Sequence, residues 1–374
     1  MPLLPDTAVD LIDGTAPYAV AEEIVTRAHA VTGVPSGLYV VDIGGSTLQL
    51  VAGVGEPEVL IPLTLGPELP ERHAEEVIDH LAGRGLHAEP LWLRGRAVAM
   101  LVFGAPADVP PRFVREAAGA VDLAGRYTDR FEAARRRKIT TPAAELQETL
   151  LPPRVAEVRG ADLAGTVLPA YEVGGDWFDH AEDREGTWIA VGDAAGKGAR
   201  ATGLSALTLG ALRGERRQGA SLEQVIAGMD RVIRELADPD AFLTAIVGRW
   251  DADRRVFEHL CCGHPPPLLL RADGRVVECP TRHAPPLGVP GGPLPPANTI
   301  TLERDDRLVL YSDGVTERRF ADGSFFGTAG LRDAMATADS PSAASLATCV
   351  LQRVLRLTDD PLDDDATLVV LRAR

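Results

Sequence analysis

Positive charge, cysteine and long apolar runs are all scarce in this chain of 374 residues. Its 54 acidic residues outnumber its 38 basic ones, leaving a formal net charge of -16. That balance argues against sequence-independent binding to nucleic acid, which needs Lys and Arg facing the phosphates. Divalent cations or a basic protein patch are the expected partners instead. The 4 cysteines, with Cys261 and Cys262 adjacent and the others alone, fit neither a disulfide framework nor paired C-x-x-C zinc knuckles. They are expected to be buried or idle thiols. No apolar run approaches the ~18 residues of a membrane span, so no membrane association is expected. The opening MPLLPDTAVDLIDGT has no basic segment ahead of an apolar one, which makes a secretory signal unexpected and the cytoplasm the expected address.

What is present is a globular composition, 45% hydrophobic and 25% charged, on a chain long enough for two domains. The division is expected where the charged run RFEAARRRKITTPAAELQETL ends at Pro152 and Pro153. This gives a first domain over 1–132, a helical linker over 133–151 and a second domain over 152–374. In the first, a helix over Ala19 to Val31, a hairpin of GLYVVD and TLQLVAG, a further helix, the hairpin LWLRGRAVAMLVFG and a long exit helix from Pro111 form an α+β pattern. In the second, short strands dominate, interrupted by helices at about Arg200 to Leu212, from Ser221, and at about Ser342 to Leu357. Ser221 and Gln224 have the spacing of a capping box. Apolar Leu222, Val225, Ile226, Met229, Ile233 and Leu236 recur at helical spacing behind it. Two sheets between helical layers are the expected architecture.

Two stretches imitate phosphate-binding motifs. VGDAAGKGARATG (Val191 to Gly203) resembles a nucleotide loop. However, Gly192 to Gly196 is one residue short of the Walker spacing, and Gly198 stands where a hydroxyl should reach magnesium. DIGGSTLQL (Asp42 to Leu50) resembles the phosphate hairpin of actin-like kinases, but Gly-Gly between alternating apolar runs is already a complete turn signal.

The aspartates of VGGDWFD, VGDAAGKG, YSDGV and DDDATLVV are Asp176, Asp193, Asp313 and Asp364, each at a strand edge beside Gly or another acid. Any one Asp-Gly pair reads as a surface turn, and an acidic run as a solvated loop. Converging carboxylates, by contrast, would repel unless a cation neutralised them. All-oxygen donors select hard ions, Mg²⁺ or Mn²⁺. A flanking Gly permits close backbone approach, so that a carbonyl after Asp193 can join the donors.

In order, LQETLLPP, PAYEVGGDWFD, VGDAAGKGARAT, FLTAIVGRWD, CGHPPPLLL, APPLGV, DDRLVLYSDGVTE, FFGTAGL and DDDATLVVLR resemble the PPM-type (type 2C) metal-dependent Ser/Thr phosphatases, in the bacterial branch typified by stage II sporulation protein E. They span about Leu146 to Arg374. Residues from about 15 to 132 resemble a GAF-type sensor domain. The resemblance implies an α-β-β-α sandwich of two antiparallel sheets between helical layers, preceded by a smaller GAF-like α+β domain. It also implies two Mn²⁺ or Mg²⁺ ions and a shared water that attacks a phosphoserine or phosphothreonine. Asp193 would bridge the ions, Asp176, Asp313 and Asp364 would complete the ligands, and the Ala194 carbonyl would be a further contact. Asp365 would support them, with Asp179 and Asp363 nearby. Gly196 to Gly198 would shape the turn into the helix, and Lys197 need not touch phosphate.

No cysteine begins a C-x₅-R loop, consistent with a mechanism lacking a phosphoenzyme. His264 could serve as a general acid, but a turn residue fixed by the prolines after it is the simpler reading; Thr244 is likewise read as structural. Trp177 and Phe178 depart from the family's commoner Phe and Tyr without removing a ligand. The sequence ends directly after its last strand, so no appended kinase or anti-sigma module is expected. The implied substrate is an anti-anti-sigma factor-like phosphoprotein, and a homodimer through the first domain is expected. The competing readings are a catalytically silent phosphoprotein-binding scaffold and a nucleotide-binding ATPase or kinase. Retention of the four aspartates argues against the first, and the broken Walker spacing against the second.

Overall fold

Alternation in SGLYVV sends Leu38 and Val40 to one face of a strand and Tyr39 and Val41 to the other, and all are buried. A strand buried on both faces needs cover on both sides. The structure, a computed structural model, describes all residues except 1–10, 13, 43–46, 63–70, 137–140, 169–173, 237, 239, 321, 339–341 and 359–361. It divides into two compact units, 1–139 and 140–374.

In the first unit, β1 (Ser36–Val41), β2 (Thr47–Val54), β3 (Leu60–Pro62), β4 (His87–Leu93) and β5 (Arg96–Phe103) form an antiparallel sheet in the order β3-β2-β1-β5-β4. Helices Val20–Thr32 and Pro111–Ala124 pack on the Leu38 and Val40 face, and Glu71–Ala82 packs on the other. The exit helix is broken. It stops at Ala124, and a separate turn of helix, Arg130–Arg135, begins after Gly125 to Asp129, where glycine weakens helix and Thr128 bonds the backbone N–H of Arg130. The DIGGS turn falls largely on residues 43–46, outside the described residues. Its flanks pair antiparallel as a hairpin.

The second unit opens with helix Pro142–Leu150, capped by Thr141 and with Pro142 in its first turn. One sheet holds β8 (Trp177–Glu182), β9 (Thr187–Ala194), β10 (Leu243–Asp251), β11 (Val256–Cys262) and β14 (His283–Ala284), with β15 (Asn298–Thr301) also paired to β11. The other runs β13 (Val276–Glu278), β12 (Leu268–Leu270), β16 (Arg307–Tyr311), β17 (Ala366–Ala373), β7 (Ala161–Leu168), β6 (Val155–Val158). All pairs are antiparallel except the short β11 and β14 contact.

Phe178, Val191, Ile246 and Trp250 from the first sheet meet Leu163, Leu308, Leu310 and Val369 from the second. Helices Gly198–Arg217 and Leu222–Leu236 cover the outer face of the first sheet. Gly327–Thr337 and Ala343–Leu355 cover the second. This is the α-β-β-α sandwich expected from the sequence. The capping box is formed, with Ser221 N donating to Gln224 Oε1 at 2.8 Å and Gln224 N to Ser221 Oγ at 3.3 Å. Leu222, Val225, Ile226, Met229 and Ile233 are buried; the side chain of Leu236 lies outside the described ones. Helix Gly327–Thr337 has no counterpart in the sequence reading, because its opening GTAG carries almost no apolar periodicity.

Candidate metal centre

Sheet edges, loops and one helix meet where β8, β9, β16 and β17 begin or end. Asp176 lies just before β8, Asp193 at the end of β9, Asp313 just after β16, and Asp364 and Asp365 just before β17. Asp176 is 2% exposed, so its carboxylate depends on protein donors. Its Oδ2 accepts from Ser312 Oγ at 2.6 Å and from Thr367 Oγ1 at 2.5 Å. Asp365 is clamped through both oxygens, by Gly174 N at 3.0 Å and by Gln147 Nε2 at 2.7 Å. Gln147 also donates to the Asp176 carbonyl at 2.9 Å, tying helix Pro142–Leu150 to both acids. Asp364 Oδ1 accepts from Asp365 N at 2.9 Å.

Two glycines permit this approach. A Cβ on Gly175 would stand 2.5 Å from the Ala194 carbonyl oxygen, and one on Gly314 would stand 2.0 Å from that of Asp365. Gly196 and Gly198 have positive φ, 102° and 68°, and carry the chain from β9 into helix Gly198–Arg217.

Burial, then the charges of Asp313 and Asp364, raises Asp193 to about 7, although a hydrogen bond with Asp176 works the other way. Burial, then Asp193 and Asp365, raises Asp176 well above the usual carboxylate range. Asp313 is an exposed residue, yet protein around its carboxyl, then Glu317 and Asp364, raises it as well. Asp176, Asp193, Asp313 and Asp364 are therefore brought together, and among the described residues none of the four is paired with a Lys or Arg side chain. The donor set is all oxygen and suits a hard divalent cation. Among the described residues, however, no three His, Cys, Asp or Glu side chains already close into a chelate. The acids stand as mutually repelling neighbours that a cation could draw together.

Asp179 is elsewhere, paired with Arg213 at 2.8 Å and Arg216 at 2.7 Å. Asp363 is exposed and offers its carbonyl to Lys197 Nζ at 2.5 Å. His264 is 1% exposed, with Nδ1 2.8 Å from Thr244 Oγ1, and burial lowers its pKa to about 4. It is a neutral buried imidazole at pH 7, unsuited to donating a proton as imidazolium. Burial also pushes Cys261 and Cys262 up to about 12 and Cys279 to about 11, so none of these is a thiolate at neutral pH. The contributors missing from the sequence reading are Gln147, Ser312 and Thr367.

His259 is also lowered to about 4, by burial and then by His283, and neither ring nitrogen has a hydrogen-bond partner among the described residues. The folded values of His259 and His264 lie below the ordinary 6.5. The unfolded chain therefore binds more protons between about 6.5 and about 4, and stability present above pH 6.5 is lost as pH falls through that window. As pH falls from 7 to 5, the melting temperature of the native chain should fall relative to that of His259→Phe, whatever the carboxylates add to both. A constant difference between the two would remove His259 as a cause.

The double sheet between helices, with aspartates gathered at one edge, is the architecture of a PP2C-type Ser/Thr protein phosphatase. Residues 183–374 match the stage II sporulation protein E (SpoIIE) family, just over half of the chain, and the chain belongs to that family. Phosphoserine phosphatase RsbU of Bacillus subtilis strain 168 is 28% identical over 242 residues, covering 62% of this chain and 69% of that protein. The solved RsbU and RsbW domains of a Mycobacterium tuberculosis protein are 31% identical with a TM-score of 0.52, over 58% of this chain and 62% of that one. The SiaA PP2C domain of Pseudomonas aeruginosa shares the fold, with a TM-score of 0.54 and 20% identity over 62% of this chain and 94% of that domain. Phosphatases of this class depend on Mg²⁺ or Mn²⁺. Among the described residues no helix is long and apolar enough to cross a membrane.

Proposed function

We propose that this protein hydrolyses phosphoserine or phosphothreonine on a small anti-anti-sigma factor-like phosphoprotein in the cytoplasm, using two divalent ions held by Asp176, Asp193, Asp313 and Asp364, with the Ala194 carbonyl as a further donor. The observation that carries this reading is Asp193, raised to about 7 by burial and by the charges of Asp313 and Asp364. Mg²⁺ or Mn²⁺, when bound, would supply Lewis-acid stabilisation of the phosphoryl oxygens and make water nucleophilic at neutral pH. Ser312 and Thr367 both donate to Asp176 Oδ2 and so restrain its carboxylate beside Asp193. Gln147 and Gly174 fix Asp365, which holds Asp364 through its own N–H. The substrate class is supported by RsbU, a phosphoserine phosphatase by name. Release of phosphate from a phosphorylated anti-anti-sigma protein with Mn²⁺, abolished by EDTA, tests it. Binding without hydrolysis would favour a silent scaffold instead.

Gln147 joins the acids to the helix that follows the inter-unit segment, and Arg213 holds the end of that helix through the Leu150 carbonyl at 2.7 Å. On this reading residues 1–132, as a GAF-like regulatory domain, act through the linker 133–151, whose last helix touches the centre. Gln147→Leu should lower activity about 10- to 100-fold, the usual effect of losing a residue that supports a metal ligand, and raise the Mn²⁺ concentration for half-maximal rate. An unchanged rate would separate the helix from the centre.

A homodimer is also proposed. The apolar positions of Pro111–Ala124 are used in the first unit's own core, so its contact would have to use exposed side chains such as Tyr18 and Tyr127, 66% and 73% exposed. A single-chain mass in sedimentation at micromolar concentration would contradict it.

A further inference from the structure

After Asp313 the chain makes a small hairpin beside the acidic centre. Phe326 N donates to the Arg318 carbonyl at 2.7 Å and Phe320 N to the Ser324 carbonyl at 2.8 Å. The tip turns at Gly323, φ 83°, with Asp322 Oδ1 accepting from Ser324 N at 2.9 Å. On this hairpin the Arg319 guanidinium lies 4.0 Å from the centre of the Phe325 ring, and its Nη1 donates to the Gly323 carbonyl at 3.0 Å. Both side chains are exposed, Phe325 by 50%. They line a cleft of ≈ 220 Å³ together with Lys197, Gly314, Glu317 and Asp364, among others.

The charge in this cleft is divided. Glu317, Asp363 and Asp364 bring negative charge to its lining, and Asp364 is one of the gathered acids. Lys197, Arg318 and Arg319 supply positive charge; Arg318 is buried and donates to the Thr358 carbonyl at 3.1 Å, whereas Lys197 and Arg319 are exposed, and among the described residues neither of these two pairs with a carboxylate. In a chain with 54 acids and 38 bases, carboxylates for such cations are abundant. Each is held instead by a backbone carbonyl, and Arg319 also by an aromatic face. These contacts fix position while leaving the full charge available. A phosphorylated side chain carries about -1.5 to -2 charges at pH 7 and would be repelled by an acidic centre approached alone. A guanidinium at the rim meets that dianion with two parallel N–H donors, and the ammonium adds a point charge.

We propose that Arg319 and Lys197 form the capture site for the substrate's phosphoryl group, and that Phe325 seats an apolar side chain next to the phosphorylated residue. The inference rests on the phosphatase reading and extends it to substrate selection. Arg319 and Lys197 are specificity-determining residues; they do not replace the aspartates in the reaction. The ligand is an exposed phosphoserine or phosphothreonine segment of a protein. A small aryl phosphate, without flanking residues, would engage the cations and not the ring.

The test is steady-state hydrolysis by the full chain with saturating Mn²⁺, using a phosphoserine peptide with an apolar neighbour and p-nitrophenyl phosphate. In Arg319→Ala, KM for the peptide should rise about tenfold, the size of one lost charge-assisted hydrogen bond, with kcat within about twofold. Arg319→Lys should recover part of the loss, and Lys197→Ala should also raise KM. Phe325→Ala should raise KM for the peptide and leave that for p-nitrophenyl phosphate unchanged. Added NaCl should raise KM of the native chain more steeply than that of Arg319→Ala. An active native chain whose KM is unmoved by Arg319→Ala, or a variant that loses kcat at constant KM, overturns this inference and spares the phosphatase reading. A native chain that hydrolyses neither substrate overturns both.

Discussion

Asp193→Asn is expected to lower phosphoserine hydrolysis by more than about a hundredfold, beyond the upper range for a residue that only supports a metal ligand. Asp193 is the acid whose charge meets Asp176, Asp313, Asp364 and Asp365 together. An amide keeps its shape and removes its charge, so affinity for cations and activation of water should both fall. The fold should gain. Asp193 titrates near 7 in the folded chain, against an ordinary 3.8. Its ionisation therefore disfavours the fold increasingly as pH rises from about 4 to about 7, and the full cost applies above 7. In the absence of divalent ions, Asp193→Asn should be more stable than the native chain at pH 8, by on the order of a few kcal/mol, and so melt higher there, and should melt near the native value at pH 4. Melting curves in EDTA at the two pH values check the sign. A variant less stable at pH 8 would show that the carboxylate is satisfied and the centre is not short of positive charge.

Gly314→Ala is expected to be the other severe change, for a steric reason. Its Cβ would stand 2.0 Å from the Asp365 carbonyl oxygen, a backbone atom that no side-chain rotation can move. Relief requires separating the turn after Asp313 from the strand that follows Asp365, the two segments that bring Asp313 and Asp364 to one place. Overpacking of this kind costs about 1–3 kcal/mol. Activity should fall further than stability, because Ser312 and Thr367 share this seam and hold Asp176. The checks are a melting curve and the Mn²⁺-induced rise in melting temperature, which should shrink. Native activity in Gly314→Ala would contradict the close approach.

The aspartates were readable in the sequence because each combines local signals, an apolar strand ending in an acid beside Gly or another acid. The capping box at Ser221 was readable for the same reason. Gln147, Ser312 and Thr367 carry no such signal. They lie within the quoted motifs, but the acids they bond are 218, 136 and 191 residues away, and a neutral Gln, Ser or Thr shows no such partner until the chain folds. Asp179 shows the converse. Three residues from Asp176, it resembles a member of the acidic centre in the sequence, yet it belongs to Arg213 and Arg216. The exit helix shows the limit of periodicity, since apolar spacing continues through a segment that Gly125 and Thr128 interrupt.

The central claim is that the gathered aspartates work by holding divalent cations for hydrolysis of a phosphoserine protein. The most direct test is the initial rate of phosphate release from such a protein as free Mn²⁺ is varied in a chelator buffer, for the native chain and Asp193→Asn. The account predicts no rate without Mn²⁺, a saturable rise in the native chain, and little rate in the variant at any concentration. A native rate independent of Mn²⁺, or a variant that follows the native curve, would contradict it.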